Sequence, residues 1–175
     1  MNRSRFGEFG DADVLLDAGP LRTLLVLHFI RQAKLSEERL WHLVRHTRPQ
    51  LESRGTEAFW SILDGFRSCQ YTQLGLAEAL QFRKYEAAKQ EEAEIRTLAL
   101  DAIRQAPLVE VYVETQACLE GRDRVVGIVG LTDAIHIHFL QQNRNVRLLT
   151  DDERLRQHAG ETADRIIALN ELLTY

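Results

Sequence analysis

The stretch from Gly130 to Leu155, GLTDAIHIHFLQQNRNVRLLTDDERL, limits most sharply what this chain can fold into. It reads as a helix opened by Thr132 and Asp133, a turn at Asn143-Arg144-Asn145, and a short apolar strand from Val146 to Leu149. Thr150-Asp151-Asp152 follows, and a second helix begins there. In open α/β sheets, ligands bind in the crevice beyond the carboxyl ends of the strands. Asp151 and Asp152 stand at such an end, and Asp133 lies in the first turn of its helix. One local conflict arises, because His136-Ile137-His138-Phe139 alternates with the period of a strand. The apolar run continues to Leu140 and a strand follows within a few residues, so the segment is assigned to a helix capped by Thr132. On a helix, His136 and His138 point about 200° apart. They cannot share one ion, and a histidine zinc site is not expected there.

The rest of the chain repeats the alternation. Residues 1–12 form a polar, glycine-containing leader, and Asp13 to Asp17 (DVLLD) reads as a buried strand ending at Asp17. Ala18-Gly19-Pro20 starts a helix whose Leu21, Leu24, Leu25, His28 and Phe29 share a face, with His28 at the edge of the core. Ser36 caps a helix carrying Leu40, Leu43 and Val44, and Thr56 caps another carrying Phe59, Trp60, Ile62, Leu63 and Phe66. An extended segment from Cys69 to Thr72 precedes one long, solvated helix from Leu74 to about Gln105. Pro107 stops it, and Leu108 to Val113 alternates like a strand. Short helices at Thr115–Glu120 and Asp123–Val129 flank Gly121, and Ala163 to Leu169 supplies the last strand. Strands alternating with helices imply a mostly parallel sheet covered on both faces.

Composition narrows the function. With 175 residues, 45% of them hydrophobic, one domain with one sizeable core is expected. No apolar run approaches the roughly 20 residues of a membrane span, and the N-terminus has no apolar core of a signal peptide. Cys69 and Cys118 form no CxxC and are too few for a disulfide framework, which fits a reducing cytoplasm. A net charge of −4 argues against indiscriminate coating of nucleic acid. All the basic residues except Lys34, Lys84 and Lys89 are arginine, whose planar fork suits phosphate. No GxGxxG or Walker pattern is present, which disfavours nucleotide binding.

Four stretches place an acid at or near a strand end or a helix start: Asp17, Glu78, Asp133, and Asp151-Asp152. Singly, each is an ordinary helix-dipole partner. Two carboxylates about 4 Å apart repel by roughly 4 kcal/mol at an effective dielectric near 20. Three or four in one pocket therefore need a cation or shared protons. Hard cations such as Mg²⁺ and Mn²⁺ take carboxylate oxygens and water.

Val14-Leu15-Leu16-Asp17, Leu76-Ala77-Glu78-Ala79-Leu80, Gly130-Leu131-Thr132-Asp133-Ala134 and Leu148-Leu149-Thr150-Asp151-Asp152, in that order, resemble the PIN domain, the nuclease fold of many toxin ribonucleases. The chain looks nearest to the branch with an LLDxGPL opening and a GLTDA third motif. The resemblance implies a three-layer α/β/α domain over residues 13–175 with a central sheet of about four to five strands. Residues 31–68 become a helical insertion or cover. It also implies that Asp17, Glu78, Asp133 and Asp152 hold Mg²⁺ or Mn²⁺, with Asp151 in reserve and Thr150 as the supporting hydroxyl. The implied activity is metal-assisted hydrolysis of RNA in the cytoplasm. Its candidate partners are a small antitoxin and a second copy of the chain, with no membrane. The alternative is a PIN-like binding or assembly module with weak or lost catalysis. One departure favours it: Ala18 and Gly19 stand where toxin-type members carry Thr or Ser and then Asn or a similar residue. Losing such support beside a metal costs about 10–100-fold in affinity or activity.

Overall fold

Four consecutive buried residues, Asp13–Leu16, form β1, the central strand of the domain. The computed structural model describes residues 9–32, 56–81, 97, 99–120 and 123–173. After β1 come helix α1 (Ala18–Arg31), helix α2 (Thr56–Asp64), strand β2 (Ser68–Thr72) and helix α3 (Gln73–Ala79). Strand β3 (Leu108–Val111), helices α4 (Thr115–Leu119), α5 (Asp123–Val129) and α6 (Leu131–Gln142), and strand β4 (Val146–Thr150) follow. Helix α7 (Glu153–His158), a 3₁₀ turn (Gly160–Arg165), strand β5 (Ile166–Ala168) and helix α8 (Leu169–Leu173) complete the described chain.

All five strands are parallel, in the order β3-β2-β1-β4-β5. Side chains alternate across the sheet as the pleat demands. Val14 and Leu16 of β1 and Leu149 of β4 enter one core with Leu21, Leu25, Phe59 and Ile62 from α1 and α2. Leu15 and Leu148 point the other way, against Ile137 and Leu140 of α6 and Leu155 of α7. The domain is thus a three-layer α/β/α fold, as the sequence implies. Among the described residues, no helix is long and apolar enough to cross a membrane.

Several boundaries differ from the sequence reading. Helix α6 is capped by Gly130, not Thr132, because the chain enters with φ = +93°, a region comfortable only for glycine. Its two-residue alternation misleads because Ala134 to His138 are all buried. The long helix from Leu74 breaks: α3 ends at Ala79, and residues 99–105 are helical again beyond the undescribed 82–96. The buried Arg22 of α1 donates to the carbonyls of Glu78 and Ala79, both at 2.9 Å. A guanidinium thus satisfies the helix-end carbonyls of α3.

The strand expected from Ala163 to Leu169 shrinks to three residues, since Ala163 lies in the 3₁₀ turn and β5 pairs only along Leu148 to Thr150. β3 ends at Val111 rather than Val113. Phe66 lies past the end of α2 and stacks on Phe9, with ring centroids 5.1 Å apart. Within 31–68, α2 contributes Phe59, Ile62 and Leu63 to the main core. The helix expected after Ser36 and the Gly121 break lie outside the described residues. Of the leader, residues 9–12 are described and Ala12 is buried. His28 is half-buried and bonded to Gln32 at 2.7 Å, at the core edge as expected.

Candidate metal centre

Strand order reverses at β1: β2 and β3 lie on one side, β4 and β5 on the other. The crevice beyond the carboxyl ends of β1 and β4 is therefore the topological switch point of the sheet. Asp17 follows β1 directly and remains tied to β4, its N–H donating to Leu149 O at 3.0 Å. The residue is buried, 8% exposed. Oδ1 accepts from the Ala18 N–H at 2.8 Å, and Oδ2 accepts from the Thr150 hydroxyl at 2.6 Å. Thr150 Oγ1 in turn accepts from the Asp152 N–H at 3.0 Å. So the last residue of β4 is hydrogen-bonded to the acid at the end of β1.

Opposite stands the first turn of α6. Asp17, Asp133 and His136 each present one ligand atom, and these atoms lie within 4.8 Å of one another. His136 is fully buried and its Nδ1 stands 3.4 Å from Asp17 Oδ1, with no hydrogen-bond partner among the described residues. Nε2 is 3.1 Å from Thr72 Oγ1, which accepts from the Gly75 N–H at 3.0 Å. An unpartnered buried nitrogen costs stability, and a cation held by two carboxylates beside it would satisfy it. The buried group of Asp17, Asp133 and His136 can hold a metal ion. His138 lies elsewhere, its Nε2 2.9 Å from Gln142 Nε2, so the two histidines do not share a site. Excluding a paired-histidine site nevertheless concealed His136 alone. The signal was available: at i and i+3, Asp133 and His136 share one helix face.

The electrostatics of the acids divide them. Burial pushes Asp17 up, but the contact and charge of His136, the Thr150 hydroxyl and the Ala18 N–H hold it below the usual carboxylate range. Asp133 is raised to about 7, by burial first and then by the charge of Asp17, with Glu78 and Asp152 adding to the effect and His136 opposing it. Among the described residues, the group within ligand distance holds Asp17 and Asp133 with His136, and Glu78, Asp151 and Asp152 are not part of it. Asp152, however, is the N-cap of α7, and its carboxylate accepts from Arg154 at 2.8 and 3.1 Å. That bond lowers it below the usual range.

Asp151, the reserve position, leans the other way. As a residue it is exposed, yet its carboxyl lies against the backbone of Gly19, where an added Cβ would stand 2.2 Å from Oδ2. Desolvation of that carboxyl and the charge of Asp17 raise it to about 7, with Arg22 opposing. The glycine at position 19 therefore has a structural reason. Ala18 supports Asp17 through its N–H, and the bare Gly19 makes room for Asp151.

No model of a known protein family matches the chain, and comparisons with curated proteins and with solved structures likewise give no match.

Proposed function

We propose that the chain is a divalent-metal-dependent ribonuclease with a PIN-like active site at the switch point of its sheet. The observation that carries this reading is the Asp17–Asp133–His136 group, whose acids have like-charged neighbours and, among the described residues, no arginine bonded to them. Asp17 and Asp133 supply oxygen ligands, and Asp151 or Asp152 adds a further carboxylate. A bound dication lowers the pKa of water and neutralises charge developing on a phosphodiester. Thr150 fixes the orientation of Asp17, and Arg22 fixes the end of α3 that carries Glu78. Glu78 completes the acidic rim and, in this reading, orients the attacking water. Arg154, exposed beside Asp152, meets a phosphate of the RNA. A cellular RNA target places the activity in the cytoplasm, with a small antitoxin as the partner that restrains it and a second copy of the chain as a further candidate partner.

The test is cleavage of single-stranded and structured RNA by the purified chain with Mn²⁺ or Mg²⁺, with chelator, and in Asp17→Asn. The expected result is cutting that needs metal and disappears in the variant. Cutting that persists in the variant refutes the assignment. Metal uptake without cutting supports the alternative of a binding or assembly module instead. Expression of the chain alone should slow growth of the host if it acts as a toxin; unimpeded growth removes that role.

A further inference from the structure

We propose that His136 Nδ1 is a ligand of the ion that Asp17 and Asp133 hold, so that the site takes a first-row transition dication (Mn²⁺, Fe²⁺, Co²⁺ or Zn²⁺) in preference to Mg²⁺. This rests on the metal-dependent reading above and goes further, because the sequence motifs supply oxygen ligands only.

Three observations carry it. First, the imidazole is fully buried, yet its Nδ1 has no hydrogen-bond partner among the described residues and faces the two carboxylates. Second, the 3.4 Å from Nδ1 to Asp17 Oδ1 is long for a hydrogen bond. It equals the edge of a tetrahedron whose centre lies roughly 2.1 Å from each corner, the spacing of two ligands on one such ion. Third, the far side of the ring is anchored. With Nε2–H donating to Thr72 Oγ1, which also accepts from Gly75 N–H, the Nδ1 lone pair points at the acids. Metal-binding histidines are regularly oriented by a hydrogen bond at the other ring nitrogen. In that tautomer the lone pair faces a carboxylate oxygen, a repulsive contact unless a cation lies between them.

The preference follows from the donors. Mg²⁺ demands oxygen ligands in near-octahedral geometry and parts with its water reluctantly. Imidazole nitrogen suits the transition dications, with affinity rising from Mn²⁺ towards Co²⁺ and beyond.

The experiment is calorimetric titration of the full chain, wild type and His136→Gln, with Zn²⁺, Co²⁺, Mn²⁺ and Mg²⁺, with circular dichroism confirming the fold. Wild type should bind Co²⁺ or Zn²⁺ at least about tenfold more tightly than Mg²⁺. His136→Gln should lose roughly 10–100-fold for Co²⁺ and Zn²⁺ while changing little for Mg²⁺. In the unmodified protein, Zn²⁺ should also displace the ¹⁵N resonance of His136 Nδ1, and Mg²⁺ should leave it unmoved, so a variant that misfolds does not end the test. An unmoved Nδ1 resonance at saturating Zn²⁺, or a ranking of ions that survives His136→Gln, overturns the role of His136 and leaves the metal site standing. Failure of every dication to bind the wild-type chain overturns the ribonuclease reading as well.

Discussion

The two ends of β1 each carry a buried aspartate. Asp13 and Asp17 are 7% and 8% exposed, and three residues of chain lie between them. At the amino end, Asp13 accepts from Arg67 through both oxygens and from Ser68 Oγ at 2.7 Å. The Arg67 bond takes it below the ordinary carboxylate range against the effect of its burial. At the carboxyl end, Asp17 is oriented by a hydroxyl and a backbone amide but meets Asp133 and Asp151 instead of an arginine. Desolvation is common to both; neutralisation is not. The first acid is paired with an arginine, whereas the second has, among the described residues, only the His136 imidazole to set against its acidic neighbours. That contrast, rather than burial or acidity alone, separates a structural carboxylate from a ligand.

The largest effects should come from neutralising each end in turn. Asp17→Asn should abolish the rise in Tm produced by Mn²⁺ and reduce RNA cleavage by more than the roughly 10–100-fold that loss of a ligand's supporting partner costs. Asp13→Asn should instead lower Tm several degrees and leave the metal response intact. If Asp13→Asn removes metal binding too, the two ends are not distinct. Thr150→Val comes next. It deletes the 2.6 Å donor to Asp17 Oδ2 and should weaken Mn²⁺ binding by about 10–100-fold in calorimetry. An unchanged affinity would show that Asp17 needs no orientation.

The ends should also differ in pH dependence. Asp133 and Asp151 are both raised to about 7. Between the unfolded carboxylate value, near 4, and that folded value, the folded chain holds more protons than the unfolded one. Stability therefore falls as pH rises through this window. Asp13 and Asp17, both lowered, act the other way: their contribution is present above the unfolded value and is lost as the solution becomes more acidic than that. Melting curves without metal should thus show Tm declining from pH 5 to pH 8, with saturating Mn²⁺ suppressing the decline. A Tm that climbs over this interval would contradict the crowding of acids. The smallest effect is expected of Gly19→Ala. Its methyl would overlap Asp151 Oδ2, so the carboxyl must rotate away, and Mn²⁺ affinity should drop only a few-fold with Tm nearly unchanged. A loss as large as that of Asp17→Asn would make Asp151 a principal ligand.

Much of this was legible in the chain, for a physical reason. Asp17, Asp133 and Thr150 sit at junctions between strand and helix, where periodicity and capping chemistry leave strong local marks. The parallel sheet follows from the same alternation. What escaped depends on contacts between distant segments. Arg22 ends α3 from 56 residues away, so no local pattern could break the expected long helix. In the sequence His136 reads as half of an unusable pair with His138, whereas in the fold its partner is Asp133, one helix turn earlier. Asp152 carries the motif position but bonds Arg154, while Asp151 turns inward, and only the open space at Gly19 decides this.

The most direct test is a crystal of the full chain grown with Mn²⁺ and measured for anomalous scattering. The expected result is one peak at the carboxyl ends of β1 and β4, roughly 2.0–2.3 Å from oxygens of Asp17 and Asp133. A fully loaded crystal with no peak in that crevice, or with manganese only elsewhere on the surface, would contradict the central claim.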